Sequence, residues 1–238
     1  MTKNRILILL LCLSFSFGFS QKSSKTFGLQ FKPILPLKVL NVTDLKLDED
    51  NFKVTISPLL GYNFGGVIRF GFNDKLALET GLNYNRRNFK LDAQLDDSLS
   101  GSLEYGVVTY EIPIQGLFYV RLSKKWYMNA ATGISLNFRA SDVGKFTANY
   151  EFIQSTRVQN INLAYVANVG VEYRTKKNGT FYMGGSLTTP FRPLGVVRVT
   201  SQDEFNVRQI SGFLSGNYIS VDIRYFFQDS KKNKTAVE

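Results

Sequence analysis

The carboxylates Glu79, Glu111, Glu172 and Asp222 and the arginines Arg69, Arg121, Arg139, Arg174 and Arg224 stand in segments where polar and apolar residues alternate. Two carboxylates held close together can share the roles of general acid and general base. Carboxylates held among guanidiniums instead form ion pairs, and where water is scarce each such charge needs a partner. Histidine is absent, so a Ser-His-Asp triad and imidazole acid–base chemistry are both excluded. The single cysteine, Cys12, lies in an apolar N-terminal run. Once that run is removed, the chain has no thiol nucleophile, no disulfide and no cysteine metal site. Asp48, Glu49 and Asp50 crowd together but lack the ligand spacing and the glycine of a calcium loop. No catalytic, metal or cofactor residue is assigned, and no enzymatic activity is expected. The charged set reads as a structural ionic network.

Strands must position these charges. In Asn160 to Arg174, NINLAYVANVGVEYR, the residues Ile161, Leu163, Tyr165, Val169, Val171 and Tyr173 fall on one side, and Asn162, Asn168, Gly170, Glu172 and Arg174 on the other. Successive strand side chains point to opposite faces, so this segment is a two-faced strand. The same alternation gives eight strands, at about 25–36, 59–72, 75–91, 105–122, 125–140, 158–174, 180–189 and 214–227. Tight polar turns at Asn73-Asp74, Ser123-Lys124 and 176–179 alternate with long links at 37–58, 92–104, 141–157 and 190–213. That alternation predicts an all-β fold, an eight-stranded antiparallel up-and-down transmembrane β-barrel with two unlike ends.

The two faces differ in a way that decides which looks outward. The polar face carries the nine charges named above, with Lys32 and Arg87, and also Gly28, Gly61, Gly65, Gly71, Gly81, Gly133, Gly170 and Gly184. Glycine weakens a strand, but in a narrow lumen it makes room for long side chains. The opposite face is bulky throughout, as in Leu76, Leu78, Leu82, Ile112, Ile114 and Phe118, and so many large side chains cannot fit inside eight strands. Aromatics gather at both strand ends. Phe70, Phe72, Trp126, Tyr173, Tyr225 and Phe227 lie toward the short turns, and Tyr62, Tyr84, Tyr110 and Phe138 toward the long links. Two such belts are expected at the two headgroup levels of a membrane. The apolar side therefore faces lipid, and the charges fill the lumen.

Composition agrees with export to a membrane. Lys3 and Arg5 precede an apolar run from Ile6 to Phe19, and Gly18 and Ser20 suit signal peptidase, so residues 1–20 read as a signal peptide cleaved before Gln21. Residues 21–228 form the barrel, and 229–238 a short polar tail. The 29 basic residues less Lys3 and Arg5, against 19 acidic ones, leave the mature chain at +8. For an exported chain this charge suits anionic lipid or lipopolysaccharide, and no nucleic-acid partner is expected.

Three segments resemble a known family. Phe72 to Lys90, FNDKLALETGLNYNRRNFK, is similar to a hairpin of small outer-membrane barrels from Bacteroidetes. Tyr110 to Ser135, YEIPIQGLFYVRLSKKWYMNAATGIS, is similar to a second hairpin of those proteins. The run Tyr218 to Phe227, YISVDIRYFF, resembles their closing aromatic strand, through which the barrel-assembly machinery recognises them. Together these segments resemble the PorT-type outer-membrane β-barrel family. The resemblance implies a signal peptide, an eight-stranded barrel and residence in the cell outer membrane. It implies no single activity, although the founding member is linked to type IX secretion and gliding.

Pro113, which cannot donate to a ladder, is expected to mark a bulge, and Pro33 and Pro36 to make the first strand irregular. The long links are expected to be solvated or mobile. Binding residues there would be Phe191, Arg192, Arg198, Phe205 and Arg208, with Phe146, Tyr150 and Phe152 in the preceding link. They could meet lipopolysaccharide or an envelope protein partner. The sequence thus supports an outer-membrane barrel with a plugged lumen and a structural, adhesive or envelope-assembly role. Its rivals are an accessory part of a secretion and gliding machine and a soluble lipocalin-like ligand binder.

Overall fold

The structure is a computed structural model that describes residues 24–37, 44–49, 52–95, 99–146, 151–175, 177–202 and 207–228. The predicted signal peptide, the tail 229–238, Asp50, Tyr150 and Phe205 lie outside the described residues. The elements are β1 (Ser24–Leu35), β2 (Leu45–Glu49), β3 (Phe52–Gly71), β4 (Leu76–Leu95), β5 (Leu99–Arg121), β6 (Trp126–Arg139), β7 (Val143–Phe146), β8 (Glu151–Thr156), β9 (Ile161–Arg174), β10 (Thr180–Pro190), β11 (Gly195–Gln202), β12 (Val207–Leu214) and β13 (Tyr218–Phe226).

Eight of these strands close a ring in the order β1-β13-β10-β9-β6-β5-β4-β3, and β1 pairs antiparallel with both β13 and β3. This is the predicted up-and-down barrel. Its short turns are tied locally. Asn73 Oδ1 accepts from the amides of Lys75 and Leu76 at 2.8 Å each, and Ser123 Oγ accepts from those of Lys125 and Trp126. In the third turn Thr175 Oγ1 donates to the Gly179 carbonyl at 2.7 Å, and Gly179 takes φ 77°, a conformation open to glycine at little cost.

The wall has the expected polarity. Leu82, Val169 and Met183 are 58%, 56% and 62% exposed on the outside, whereas Glu172 and Asp222 are fully buried inside. Both aromatic belts are present. Tyr62, Phe64, Tyr84 and Tyr110 form a chain of ring contacts at 5.1–6.3 Å at the long-link end. Trp126 and Tyr173 meet at 4.9 Å, and Phe181, Tyr225 and Phe227 at 5.1 and 5.2 Å, at the other end.

The long links differ from expectation, because they continue the sheet. β3 begins at Phe52, β4 runs to Leu95 and β5 begins at Leu99, so three strands extend past the aromatic belt. β2 adds to the edge of β3, and β7, β8, β11 and β12 form a separate four-stranded sheet. The two sheets enclose a core of Phe52, Val54, Ile56, Leu91, Val107, Ile153, Val197, Val199 and their neighbours. The result is a β-sandwich stacked on the barrel. Each fully buried Val, Leu, Ile or Phe there contributes about 1.5–3 kcal/mol.

Alternation alone ends these strands early because the polarity of the faces reverses. On β4, Leu78, Leu82 and Tyr84 face outward and Glu79, Asn83 and Asn85 inward; beyond Arg87, Phe89, Leu91 and Ala93 are buried, and the outward phase is polar, with Asn88, Lys90, Asp92 and Gln94. Lipid wets the first part of the outer wall and water the second. β3 achieves the same reversal differently. Its register against β4 shifts between Leu59 and Tyr62, so the apolar even-numbered residues Phe52, Val54 and Ile56 point inward, while Tyr62, Phe64 and Ile68 point outward. The bulge expected at Pro113 is absent. Pro113 opposes Ser135 in an unshifted ladder to β6, and the ladder to β4 keeps its register although it is interrupted at Ile112 and Pro113; the register shift lies near Leu60 instead. β1 also keeps its register through Pro33, although its ladder to β13 is interrupted at Lys32 and Pro33.

Ile153→Ala is expected to cost about 2–5 kcal/mol locally. In limited proteolysis the wild-type segments 151–156 and 195–202 should resist cleavage, and the variant should be cut there while its barrel remains folded. Equal and rapid cleavage of both proteins would mean the links are loops after all.

Candidate functional site

The eight wall strands each send at least one side chain into a single hydrogen-bonded cluster in the lumen. Arg69 on β3 donates Nε and Nη2 to Glu79 Oε2 at 3.0 and 2.7 Å, and Nη1 to Glu172 Oε1 at 2.6 Å. Arg224 on β13 bridges Glu79 Oε1 and Asp222 Oδ2, the latter at 2.5 Å. Lys32 on β1 lies 3.3 Å from Asp222, and Arg174 on β9 donates to Glu172 Oε2 at 3.0 and 3.1 Å. Tyr119 on β5 and Asn129 on β6 donate to Glu172 at 3.4 and 2.8 Å. Asn168, Ser186 and Ser220 donate to Asp222 at 2.9, 2.6 and 3.0 Å. Every carboxylate in the cluster thus has a cation and a neutral donor or a second cation, as buried charge requires.

Aromatic rings lie against the guanidiniums. Arg69 lies 3.8 Å from the Phe226 ring centroid, Arg174 3.9 Å from Tyr127, and Arg224 4.7 Å from Tyr182. Tyr182 lies against the backbone at Gly170 and Gly184, where any Cβ would collide with its phenol. These two glycines make the room that the sequence assigned to them.

Of the nine predicted network residues, Arg69, Glu79, Glu172, Arg174, Asp222 and Arg224 come together. Glu111 sits apart, nearer the long-link end, and accepts from Asn85 at 2.5 Å, Tyr218 at 2.8 Å and Asn63 at 3.2 Å. Arg139 pairs with no carboxylate among the described residues. It donates to the Ser155 carbonyl at 2.6 Å and to that of Ser141 at 3.2 Å, bracing the second sheet on the barrel. Arg121 is exposed at the short-turn rim and donates to the Ser123 carbonyl at 3.1 Å, so it lies outside the network. It is the last residue of its strand, where the lumen gives way to solvent. Tyr119, Asn129, Asn168 and Tyr182 were missed; they share the phase of the charges, but neutral side chains gave no separate signal.

The predicted contact residues do not form one site. Phe191 and Arg192 are exposed in the turn after β10, Arg198 is exposed on the outer face of β11, and Arg208 is half-buried on β12. Inside the sandwich, burial pushes the Tyr105 phenol above its usual range, so the group stays neutral. A cavity of about 540 Å³ opens at the short-turn end, with Arg69, Tyr119, Glu172 and Arg174 among its walls.

A closed antiparallel ring, apolar outside and ionised inside, defines a membrane-spanning β-barrel. Residues 13–195 match the family described as outer membrane protein beta-barrel domain, and the chain belongs to that family. It is an outer-membrane β-barrel protein. Its fold resembles that of the outer membrane protein OprG from Pseudomonas aeruginosa, with a TM-score of 0.55 and 12% identity over 88% of this chain and 98% of that one. The beta domain of the Bordetella autotransporter BrkA, at 12% identity, aligns over 87% of this chain and 99% of its own with a TM-score of 0.37. No curated protein matches in sequence.

Glu79 joins Arg69 to Arg224, so Glu79→Gln leaves two buried guanidiniums short of a counter-charge. The expected loss is about 3–5 kcal/mol, measured by urea unfolding of the refolded barrel in detergent. A loss below about 1 kcal/mol would indicate a hydrated lumen whose charges are paired only loosely.

Proposed function

We propose that this barrel is a non-enzymatic, non-conducting anchor, plugged by its own side chains, that holds a folded β-sandwich outside the cell in a structural, adhesive or envelope-assembly role. The sandwich core carries this reading, since a channel or a bare anchor has no need of a second hydrophobic core around Val197 and Val199 beyond the membrane. In outer-membrane barrels the short turns face the periplasm and the long links face outward. The sandwich, on the long-link side, would then be the part that meets other molecules. The ion cluster supports the plug, because it draws on all eight wall strands.

Purified protein in planar bilayers is expected to show no large stable conductance. Regular nanosiemens steps would refute the plug.

The partners follow from the same layout. Arg86 is exposed just beyond Tyr84, in a groove with Leu60, Asn88 and Lys145, at the level where lipopolysaccharide phosphates would lie. β13, ending in Tyr225 and Phe226 and followed by Phe227, is the strand offered to the barrel-assembly machinery. The PorT-like segments are wall elements that carry no task of their own: Phe72 to Lys90 is a short turn followed by β4, and Tyr110 to Ser135 is the hairpin of β5 and β6.

Cross-linked pull-down from intact cells is expected to capture an envelope protein through β11 or β12. Recovery of secretion subunits, together with lost secretion or gliding in a deletion strain, would replace the anchor role with the accessory one. Recovery of the protein from the soluble periplasm without detergent would instead favour a soluble binder.

A further inference from the structure

We propose that the cavity between the long-link end of the lumen and the second sheet binds one small monovalent anion, the size of a halide or a single carboxylate group. Among the described residues five cations are buried, Lys32, Arg69, Arg87, Arg139 and Arg224, against four carboxylates, Glu79, Glu111, Glu172 and Asp222. Three of those carboxylates belong to the cluster deeper in the lumen. Glu111 is the only one whose field reaches Arg87 strongly, and its two oxygens already accept from Asn63, Asn85 and Tyr218. Arg87 and Arg139 therefore share the uncompensated charge.

Their contacts confirm the imbalance. Neither forms an ion pair among the described residues. Arg87 donates Nη1 to the Gly216 carbonyl at 2.6 Å and lies 5.5 Å from the Tyr218 ring. Arg139 spends its donors on the carbonyls of Ser141, Ser155 and Leu194 and on the Ser155 hydroxyl. Asp142, whose field also acts on Arg139, is exposed and pairs with Arg157 at 3.6 Å. Carbonyl dipoles satisfy hydrogen bonds but carry no net charge, so with Glu111 the only buried carboxylate beside them, Arg87 and Arg139 keep one buried positive charge without a buried counter-charge.

Both guanidiniums line one cavity of about 20 Å³, with Thr109 and Asn162 in its walls and the exposed Arg192 at its mouth. Arg87 Nε, Thr109 Oγ1 and Asn162 Oδ1 are buried there without a hydrogen-bond partner. An anion accepts from the first two and supplies the missing charge. A water molecule needs about 10–15 Å³ by the same measure, so a phosphate ester or a sugar does not fit. The site lies where β4 and β6 meet the turn at 191–194 and the end of β8, so a bound anion would tie the barrel to the sandwich.

Full-length protein in detergent would be titrated with sodium bromide, formate or isethionate at constant ionic strength, and its thermal unfolding followed. Bromide and formate are expected to raise the midpoint saturably, and the bulky isethionate is not. Arg192→Gln, a substitution at an exposed position, should weaken the apparent bromide affinity roughly two- to five-fold. Coincident curves for bromide and isethionate, or an effect untouched in Arg192→Gln, would overturn the proposal. Wild-type crystals grown with bromide give an independent reading. An anomalous peak between Arg87 and Arg139 supports the site, and ordinary water there refutes it.

Discussion

A sheet that crosses lipid can leave no backbone amide unpaired, because hydrocarbon offers nothing to hydrogen-bond it. Here the requirement falls on β1, which pairs with β13 from Gly28 to Leu35 and with β3 from Ser24 to Ile34. Once that seam is closed, every wall side chain must go either to lipid or to a lumen only eight strands wide. Long side chains pointing inward then need space and partners at once. Gly170 and Gly184 give the space beneath Tyr182, and the partners come from across the ring, as when Arg224 of β13 meets Glu79 of β4. The ionic cluster is thus a consequence of closure, since charge placed in so narrow a lumen must find its counter-charge there.

The same strands then leave the membrane, and the solvent outside them changes while the pleat does not. β4 and β5 keep their phase and exchange the chemistry of their faces, so Phe89, Leu91, Tyr105 and Val107 are inside where Asn85, Thr109 and Glu111 occupy the same phase one step earlier. β3 keeps its apolar residues at even positions and turns the strand over with a bulge near Leu60. Both routes give an outer wall greasy up to the tyrosine belt and polar beyond it. The interior is correspondingly ionic and then dry.

The barrel was legible in the sequence because lipid-facing alternation is long and uniform. Ile161 to Tyr173 has one reading once the glycines and arginines opposite are counted. The sandwich was hidden for two physical reasons. Its strands are short, four to eight residues in β2, β7, β8, β11 and β12, and alternation over so few residues resembles a loop. The reversal of faces also makes a continuing strand look like one that has ended, as at Arg87 and Phe89. Within the lumen, phase alone placed Glu79, Glu172 and Asp222 correctly. Phase cannot tell how high along the axis a residue sits, so it could not separate Glu111, Arg121 and Arg139 from the cluster.

Height along the axis also explains why one protein holds an ionic core and a hydrocarbon core end to end. A buried ion pair is no more stabilising than well-packed apolar side chains, so stability does not require the charges. Register gives them a use. A slip of one residue sends every side chain to the opposite face. In the membrane, a slipped β9 or β13 would carry Glu172 or Asp222 into lipid. Beyond it, a slipped β11 would expose Val197 and Val199 to water. β3, β4 and β5 run through both levels, so for them the two penalties arise from the same displacement and add. Opposite chemistry at the two levels therefore fixes one register more firmly than either core would alone, and it holds the sandwich at a set angle to the wall beneath it.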